Sequence, residues 1–596
     1  MSENKKRQAP IDAAFRRKKL MGYCWKARGS FLPGLLFEGS SVALDLFAPF
    51  LVAEILNKQI QELHALSETG RLFRLLAIYL LAMLFSSIFR YASGIFLQRS
   101  ANGIARMIQL DVFSHLQKLP IAYFDSLPAG KVVSRVTNDS NAVKLLFSAV
   151  LVRLISAAIY GIGIYLTLSQ LDLRLFLLAL LPLPFLWLIF RDFQTKSAKW
   201  NYAARRSLSE LNGQLNENIQ GMEVIQSLGR EERIASDFEK INQENYKINL
   251  KLTKLWAYSA FNMTSAFEYL TMAAILAYFG YGSISGAYIV PIGSLYLFIN
   301  YMSRFFNQVN QAMQRVGDLE RARGAADHIF ELLRETPGEE TSGELESVQG
   351  EIDFENIHFA YIENETVLNG VSFHIPAGDS AAFVGHTGSG KSTIMNLLMG
   401  FYRPESGQIR LDGKALEDYP LLSLRRQMAI VLQDPYLFSG TLYSNIALGR
   451  EDISLEDAEE ALREVGGAPL IARLKDGLLS EVREHGNGYS TGERQLISFA
   501  RALAQNPRIL VLDEATANID SETEALIQKG ITRLGQDRTM LLIAHRLSTI
   551  QHASRIYVLD HGQIVEAGSH DELMALDGIY AQMVREQSRS LKEQPA

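Results

Sequence analysis

The sequence predicts an all-α transmembrane domain of six helices, followed by an α/β domain built around a phosphate-binding loop (a P-loop domain). Six apolar segments of bilayer-spanning length occupy the first half of the chain. A glycine-rich loop follows a short apolar run in the second half. Strand-like and helix-like patterns alternate around that loop through Val565. These three observations together predict a membrane half and a soluble half.

Length and composition agree with a chain of two kinds of domain. At 596 residues the chain exceeds what one hydrophobic core holds. Its hydrophobic fraction of 48% is high for a soluble enzyme and low for a pure membrane bundle, so a mixture fits. The single cysteine, Cys24, excludes an intramolecular disulfide and a cysteine-based zinc or iron–sulfur site within the chain.

The N-terminus is basic, with nine Lys and Arg among the first thirty residues. No cleavable signal pattern follows, and the basic start is therefore expected to remain in the cytoplasm. Residues 12–28 mix basic and aromatic side chains, which predicts a helix lying at the membrane interface. A disordered basic tail is the alternative, and it applies most to residues 1–10.

Six apolar segments are each close to the length of about 20 residues that spans a bilayer. They lie at about residues 31–57, 72–97, 142–168, 171–193, 255–283 and 288–312. The first, third and fifth links are short and together hold three Lys and Arg residues. The second link holds five and the fourth, with Arg191 at its border, holds eleven. This asymmetry predicts that both termini and both long links are cytoplasmic.

Ionisable side chains interrupt the apolar segments. Glu38 and Asp45 are seven residues apart and share one face of the first helix, where they are candidates for a substrate cavity. Further charges at or near membrane depth are Arg90, Arg153, Glu268 and Arg304. One interpretation is a polar pathway that accepts lipophilic cations, and the other is a set of ion pairs within the bundle, such as Glu38 or Asp45 with Arg153.

Changes of composition set the expected domain boundaries. A basic tail with an interfacial helix occupies residues 1–30, and the transmembrane domain occupies 31–320. A charged stretch rich in Glu, Gly and Ser predicts a linker at 321–350. The nucleotide-binding domain is expected at 351–585, and a short tail at 586–596.

The phosphate loop has the pattern G-x-x-x-x-G-K-[ST]. It consists of Gly385, His386, Thr387, Gly388, Ser389, Gly390, Lys391, Ser392 and Thr393. Glycines let backbone N–H groups converge on phosphates, Lys391 reaches the outer phosphates, and Ser392 can offer its hydroxyl to Mg²⁺. A chance loop is the alternative, but the strand pattern before it and the helix pattern behind it favour a nucleotide site.

A second motif presents two carboxylates at the end of a buried strand. Four apolar residues, 509–512, precede Asp513 and Glu514. Asp513 suits water-mediated binding of Mg²⁺, and Glu514 suits orientation or deprotonation of an attacking water.

The order of these motifs resembles that of an ABC transporter, specifically an exporter-type half-transporter with six spans and one nucleotide-binding domain. The resemblance covers about residues 12–585. Four positions match further family motifs, and the resemblance implies their roles. Tyr361 would stack on adenine and Gln433 would contact Mg²⁺ and the lytic water. His545 would bind the γ-phosphate, and Asp520 would touch the opposite subunit.

The family's signature, Leu-Ser-Gly-Gly-Gln, is altered in this chain to Tyr489, Ser490, Thr491, Gly492 and Glu493. Ser490 and Gly492 are retained, so the helix N-terminus can still face a phosphate of a partner's ATP. Thr491 adds a Cβ where close approach favours glycine, and Glu493 adds a negative charge near an anion. Both changes are expected to weaken hydrolysis under this signature.

The resemblance implies that ATP with Mg²⁺ lies between the phosphate loop of one subunit and the signature of the other. An altered signature beside an intact Glu514 therefore predicts one half of an asymmetric heterodimer. Lys391, Asp513, Glu514 and His545 would form the hydrolytic site under the partner's signature. A homodimer that tolerates the divergent signature is the alternative.

The expected function is ATP-driven export of lipophilic or amphipathic compounds, of the multidrug type, across the cytoplasmic membrane. A lipid or peptide exporter, or an ATP-gated channel or sensor, are the alternatives. The expected partners are a second half-transporter, the lipid membrane and a small lipophilic substrate, without nucleic acid. Segments 119–130 and about 210–225 resemble the cytoplasmic turns that dock on nucleotide-binding domains near the position of Gln433.

Overall fold

The computed structural model describes residues 11–59, 69–125, 127, 129–171, 173–285, 291–338, 343, 345, 347–362, 364–513, 530–531, 533–535, 537–543 and 550–593. Contacts divide the chain into two compact units. The helical unit consists of Gln8–Gln117 and Pro128–Glu335, and the sheet-containing unit includes Lys118–Leu127 and Thr336–Ala596.

The helical unit contains long helices, some of them interrupted by π-helical turns. Its helices, with α4 of the other unit in chain order, are α1 Ala13–Lys26, α2 Arg28–Glu54, α3 Thr69–Leu116, α4 Ile121–Asp125, α5 Ala129–Ser134, α6 Ser140–Leu145, α7 Leu151–Leu171, α8 Leu173–Leu180, α9 Pro182–Gln220, α10 Met222–Ser227, α11 Glu231–Leu255, α12 Thr264–Ser285, α13 Ile292–Gln314 and α14 Val316–Leu332. The π-helical turns are Ile55–Gln59, Arg135–Asp139, Leu146–Val150 and Trp256–Met263.

Each of the six predicted apolar segments is helical over its described residues, apart from a turn at Leu181 and Pro291 just before α13. Among those residues, four helices are long and apolar enough to cross a membrane by length and composition: Arg28–Asn57, Gly70–Leu116, Gly130–Gln170 and Phe176–Gln220. The fifth and sixth segments correspond to α12 and α13. The helical transmembrane domain predicted from the sequence is thereby confirmed, and α3 and α9 run well beyond bilayer length.

The core of the helical unit is centred on α13. Phe298, Tyr301 and Phe306 are fully buried among apolar side chains of α2, α7 and α12. The Tyr301 hydroxyl donates to the carbonyl of Leu46 at 2.6 Å. These aromatic residues therefore pack inside the bundle, which is the ordinary outcome for a helix with such a strong apolar face.

Helix α14 occupies the start of the predicted linker. Residues 321–332 are helical and belong to the helical unit, so the expectation of a linker beginning at 321 was wrong at that end. Ala322, Ala325 and Ile329 are buried at helical spacing, an apolar periodicity hidden among the charges. Helix α1 packs on α14, because Arg16 bonds both carboxylate oxygens of Asp327 at 2.7 Å.

The sheet-containing unit alternates strands and helices, as the sequence predicts. Its elements are β1 Ile352–Ile362, β2 Glu365–Ile375, β3 Ser380–Val384, α15 Lys391–Leu398, β4 Ser406–Leu411, β5 Lys414–Ala415, α16 Leu421–Arg425, β6 Met428–Val431, β7 Gly440–Thr441, α17 Leu442–Ala447, α18 Leu455–Glu464, α19 Ala468–Arg473, β8 Glu481–Val482, α20 Thr491–Ala504, β9 Ile509–Asp513, β10 Thr539–Ile543, β11 Arg555–Asp560, β12 Gln563–Gly568, α21 His570–Leu576 and α22 Ile579–Glu593.

The central sheet has six strands in the order β12-β11-β3-β10-β9-β6. All neighbours pair in parallel except β11 and β12. Alternate residues of a strand enter two different cores: Ala381 and Phe383 pack toward one, Ala382 and Val384 toward the other. Burial of both faces explains why β3 and β9 read as continuous apolar runs.

A second, antiparallel sheet has the order β2-β1-β4-β5. Phe354 on β1 stacks on its neighbour Phe373 on β2, with ring centroids 4.3 Å apart. Phe373 also contacts Phe383 on β3 at 4.9 Å, so the two sheets share one aromatic core. This core holds β1 beside the phosphate loop that follows β3.

Candidate functional site

The phosphate loop lies between β3 and α15, where its backbone conformation requires glycine. Gly385, Gly388 and Gly390 all have positive φ, at 153°, 85° and 104°. A Cβ on Gly385 would overlap the carbonyl oxygen of Leu559, whereas a Cβ on Gly388 would meet no atom within 4 Å. Gly385 therefore packs closely against the protein, whereas Gly388 borders open space.

Two polar side chains of the loop, those of Lys391 and Ser389, are buried. Lys391 is buried, and its Nζ donates to the carbonyls of Gly385 and His386 at 2.8 and 3.0 Å. The Oγ atom of Ser389 is buried without a hydrogen-bond partner in the described part of the chain. An orphaned hydroxyl and a buried ammonium group, both next to Gly385 and close to the N-terminus of α15, fit a bound polyphosphate. Lys391 is the first residue of α15, and Ser392 and Thr393 follow it in the first turn.

Tyr361 lies at the end of β1, where a nucleotide base would be expected to approach. Its ring contacts Phe359 at 4.8 Å and Tyr402 at 5.0 Å, both edge to face. Its hydroxyl bonds Thr393 at 3.3 Å and accepts from Asn396 at 3.0 Å. The ring is therefore fixed against α15, which orients an aromatic surface beside the phosphate loop.

Tyr402 is a residue of this region that the motif analysis did not identify. Its hydroxyl bonds a carboxylate oxygen of Asp125 on α4, within the same unit. The backbone N–H of Gly338 also bonds the carbonyl of Lys118 at 2.7 Å. Segment 119–130 was expected to dock near Gln433. Asp125 within it contacts Tyr402, and Lys118 just before it contacts Gly338, while docking near Gln433 stays a prediction. The sequence does offer one indication of Tyr402, because two aromatic residues, Phe401 and Tyr402, occur shortly after α15.

The carboxylate motif ends β9, which lies between β10 and β6 in the central sheet. Asp513 pairs with Ile543 at the carboxyl ends of these parallel strands. Parallel strands of an α/β sheet present ligand-binding residues at that edge. Glu514, Asp520 and His545 lie outside the residues that the structure describes.

Gln433 follows β6 and has an exposed side chain. Its backbone carbonyl accepts a hydrogen bond of 2.6 Å from Gln495 Nε2, and the carbonyl of Leu432 accepts from the same nitrogen at 3.2 Å. Gln495 is fully buried in the helix that follows the altered signature. Sequence reasoning missed this residue, which links the Gln433 segment to the signature helix.

The altered signature forms the N-terminus of α20. Ser490 is the N-cap residue: its hydroxyl accepts from the Glu493 N–H at 3.2 Å, and its own N–H donates to the Glu493 carboxylate at 2.8 Å. The other Glu493 oxygen lies 2.7 Å from Arg473 Nη2. Glu493 therefore completes a capping box and an ion pair, which compensates much of the charge that was expected to oppose a phosphate.

Neighbouring side chains fix the same turn. Arg494 donates to the carbonyl of Tyr489 at 3.2 Å and to the hydroxyl of Thr491 at 3.3 Å. Burial raises the pKa of Tyr489, and the nearby Glu493 carboxylate raises it further. The capping box uses the backbone N–H groups of Ser490 and Glu493, but not those of Thr491 and Gly492 in the same turn.

The candidate substrate residues lie in the helical unit. Glu38 and Asp45 both line a cavity of about 520 Å³ with Arg90, Arg153 and Arg304. Asp45 forms a salt bridge with Arg90, so an intra-bundle ion pair is present with a different arginine from the one expected. This pairing removes the argument that Asp45 attracts a cationic substrate.

Comparison with known proteins agrees with this combination of domains. The ABC transporter transmembrane region matches residues 34–309, and the ABC transporter family model matches residues 368–517. The chain is 44% identical to "Probable multidrug resistance ABC transporter ATP-binding/permease protein YheH" of Bacillus subtilis, over 85% of this chain and 76% of that protein. It is 34% identical to the "ATP-dependent lipid A-core flippase" of Legionella pneumophila, over 82% of each chain.

A solved structure, "Structure of a bacterial Atm1-family ABC exporter with ATP bound", superposes with a TM-score of 0.79 and 26% identity, covering 97% of this chain and 99% of that one. A helical membrane domain followed by a phosphate-loop domain defines a membrane transporter driven by ATP hydrolysis. The chain belongs to the ABC transporter family and has the fold of an exporter half-transporter. ABC exporters work as dimers in a membrane.

Proposed function

We propose that this chain is one half of a heterodimeric, multidrug-type exporter that moves lipophilic or amphipathic compounds across the cytoplasmic membrane by alternating access. The observation that carries the heterodimer is the altered signature at Tyr489–Glu493 in a chain whose phosphate loop is intact. A multidrug-type relative at 44% identity supports the class of cargo.

The hydrolytic site of this chain would use its own loop and strand ends. Tyr361 would contact adenine, and the loop residues that would hold the phosphates of ATP are Gly385, Thr387, Gly388, Ser389, Gly390, Lys391, Ser392 and Thr393. Ser392, Gln433 and Asp513 would hold Mg²⁺, which neutralises phosphate charge when bound. Glu514 would orient the lytic water, with Gln433 and His545 beside it, and Asp520 would contact the other subunit.

The altered signature would cover the ATP held by the partner subunit. Its helix N-terminus still offers backbone N–H groups at Thr491 and Gly492. The Ser490 N–H and the Glu493 N–H are engaged in the capping box, and Thr491 carries a Cβ where glycine permits close approach. Weaker hydrolysis at this second site would follow chiefly from the poorer approach at Thr491, with a smaller contribution from the Glu493 charge, which Arg473 and the Ser490 N–H compensate in large part.

The distribution of Lys and Arg places both termini, the nucleotide-binding domain and the long links in the cytoplasm under this proposal. Helix α10 would be the second docking turn, because Met222, Val224 and Leu228 in and beside it are exposed. Closure of the two nucleotide-binding domains would move these turns and so switch the access of the membrane cavity.

ATPase activity of the chain alone and of the complex purified from the native membrane tests the heterodimer. The proposal expects slow turnover alone and at least about tenfold faster turnover in the complex, because hydrolysis needs an intact signature from another protein. Brisk turnover by a purified homodimer would contradict it and leave the homodimer alternative standing.

A lipid or peptide exporter is the nearest rival, and the Legionella relative is named for lipid A-core transport. Stimulation of ATPase by candidate compounds in reconstituted vesicles separates the two. Stimulation by lipophilic drugs supports the multidrug class, whereas stimulation by lipid or peptide alone contradicts it.

An ATP-gated channel or sensor is the rival from another class. Glu514 disfavours it, because a gate needs nucleotide binding more than hydrolysis. ATP-dependent accumulation of a lipophilic dye in inside-out vesicles, abolished by Glu514→Gln, supports export. Dye movement that ATP binding alone switches on, and that persists in Glu514→Gln, supports a gate.

A further inference from the structure

The cavity of about 520 Å³ in the helical unit contains more positive than negative side chains. Two carboxylates, Glu38 and Asp45, face three guanidinium groups, those of Arg90, Arg153 and Arg304. Ionisable groups at such depth are costly unless they are paired or serve a ligand. The hydrogen-bond and ion-pair partners of each group therefore indicate which charges remain uncompensated and could bind a ligand of opposite charge.

Three neighbouring side chains bind the carboxylate of Asp45. It is buried, and its carboxylate accepts hydrogen bonds from Ser86 Oγ at 2.6 Å and from the Tyr160 hydroxyl at 2.5 Å. Arg90 Nη2 forms a salt bridge with the same carboxylate. Since both carboxylate oxygens accept hydrogen bonds from within the bundle and Arg90 balances the charge, Asp45 adds no uncompensated negative charge to the cavity.

Glu38 is satisfied by neutral donors. Ser156 Oγ donates to one carboxylate oxygen at 2.6 Å and Ser93 Oγ to the other at 2.9 Å. Glu38 forms no salt bridge with any residue that the structure describes. Its single negative charge is thus present in the cavity, but it is stabilised by hydroxyl groups.

Arg153 and Arg304 form no salt bridge among the described residues either. Arg304 donates from Nε to the side-chain oxygen of Asn300 at 2.6 Å, which orients the guanidinium group. Gln308 Oε1, also on the cavity wall, is buried and lacks a partner in the described part of the chain. Beyond the Asp45–Arg90 pair, two guanidinium groups thus face one carboxylate, and an anion would neutralise the excess.

A shallow groove of about 620 Å³ adjoins the polar cavity along α3 and shares Arg90, Gly94 and Gln98 with it. Tyr91 and Ile95 expose apolar side chains on this groove. A ligand that crosses from the cavity to the groove therefore passes from charged to apolar surroundings. This arrangement fits a charged head group with an alkyl chain.

We propose that the cavity binds a single-chain amphipath with an anionic head group, a carboxylate or phosphate monoester, whose chain lies in the α3 groove. Arg153 and Arg304 bind the head group, and Gln308 donates to it from its amide once the amide is oriented accordingly. The inference rests on the proposed export of amphipathic compounds and specifies the charge of the substrate.

The test compares dodecyl phosphate with dodecyltrimethylammonium, which share a chain and differ in head-group charge. Each is added to the complex purified from the native membrane and reconstituted in vesicles, and the half-maximal concentration for ATPase stimulation is measured. Dodecyl phosphate is expected to act at a concentration at least about tenfold lower, as charge-assisted hydrogen bonds to guanidinium groups favour it. Equal potency of the two compounds, or greater potency of the cation, overturns the inference.

Single substitutions of the charged residues are expected to shift the half-maximal concentration in opposite directions for an anionic and a cationic substrate. Arg153→Gln and Arg304→Gln are each expected to raise the half-maximal concentration of dodecyl phosphate about tenfold. Glu38→Gln keeps an acceptor for the serine hydroxyls and is expected to lower it severalfold, since it removes the carboxylate that repels an anion. Weaker stimulation in Glu38→Gln overturns the inference and supports a cationic substrate.

Arg191→Gln is the matched control, because Arg191 stacks on Trp187 at 5.5 Å and does not line the cavity. This variant is expected to leave both half-maximal concentrations unchanged. Uptake of both compounds into inside-out vesicles separates this inference from the proposed function. ATP-dependent uptake of the cation alone overturns the inference only, whereas no ATP-dependent uptake of any amphipath overturns the proposed function.

Discussion

Arg473 Nη2 lies 2.7 Å from Glu493 Oε1, while Oε2 of the same carboxylate accepts the backbone N–H of Ser490 at 2.8 Å. One acidic side chain thus closes the N-terminus of α20 and pairs with α19. Glutamate and the glutamine of the family signature both suit the third position of a capping box, and the charge of Glu493 adds a favourable interaction with Arg473 and with the helix N-terminus. The effect of Glu493 on hydrolysis of the partner's ATP therefore depends on how far Arg473 and the Ser490 N–H compensate its charge.

The first prediction concerns Glu493. Glu493→Gln keeps a side chain that can accept the Ser490 N–H, but it removes the negative charge beside the partner's ATP. We expect the variant complex to hydrolyse ATP about two- to fivefold faster, because a remaining long-range repulsion of the phosphates is relieved. Steady-state ATPase of the purified complex measures this.

Arg473→Gln is the companion to that variant. It leaves the Glu493 charge without its partner, so slower hydrolysis than in the wild type is expected. The double variant should return to the rate of Glu493→Gln, since the arginine then has no carboxylate to compensate. Equal rates in all four proteins would show that this carboxylate has no influence on the partner's ATP.

The second prediction compares two glycines of the phosphate loop. Gly385→Ala places a Cβ against the carbonyl oxygen of Leu559, whereas Gly388→Ala places one in open space. Gly385→Ala is expected to destabilise the domain by more than about 2 kcal/mol, through overlap and backbone strain. Gly388→Ala should cost about 1 kcal/mol in strain and mainly weaken ATP binding.

Thermal unfolding and binding of a fluorescent ATP analogue separate these two effects. Gly388→Ala should retain most of the melting temperature and lose affinity, and Gly385→Ala should lose both. Full ATP affinity in Gly388→Ala would mean that the open space at Gly388 does not face the phosphates.

The third prediction concerns pH and the contact between His328 and Asp139. His328 Nδ1 lies 3.3 Å from an Asp139 oxygen, and this interaction raises the pKa of His328 above its ordinary value of 6.5 against the opposing effect of burial. A raised folded-state pKa contributes stability below the unfolded-state pKa, and the contribution is lost as pH rises through the folded-state value. The apparent melting temperature is therefore expected to fall from about pH 6 to about pH 8.

The effect is small, below about 1 kcal/mol, because the histidine is largely exposed. His328→Gln can still donate to Asp139 but does not titrate. The pH dependence of melting in this variant should be flatter than in the wild type. An identical slope in both proteins would assign the dependence to other groups.

The fourth prediction concerns the Tyr402–Asp125 hydrogen bond, which joins the aromatic cluster of Tyr361 to α4. Tyr402→Phe keeps the ring and removes the hydroxyl. We expect a severalfold loss of transport per ATP hydrolysed, because α4 is the segment through which nucleotide binding would reach the membrane helices. Dye uptake and ATPase measured on the same vesicles give this ratio.

Tyr443→Phe is the control for Tyr402→Phe, since it removes a hydroxyl bonded to the carbonyl of Ile453 elsewhere in the same unit. It is expected to leave the ratio of transport to hydrolysis unchanged. A similar ratio in both variants would show that the Tyr402 hydroxyl does not couple the two activities.

Local sequence patterns were sufficient to predict those elements whose structure depends on a single property, such as hydropathy. Long apolar runs predicted the membrane helices, and the runs before Gly385 and Asp513 predicted buried parallel strands. The linker was predicted from charge and composition, which hid the buried alanine stripe of α14. Its helix depends on packing against α6 and α1, and a window of sequence does not contain those partners.

The sequence by itself determined that this protein has a helical membrane domain and a phosphate-loop domain, and that its signature is altered. These features follow from hydropathy, from motif spacing and from the conformational freedom of glycine, all of which are local. Only the tertiary structure decided that Asp45 pairs with Arg90, and that Glu493 is held by Arg473 and Ser490. A side chain's available charge depends on neighbours brought from distant parts of the chain, and folding alone selects those neighbours.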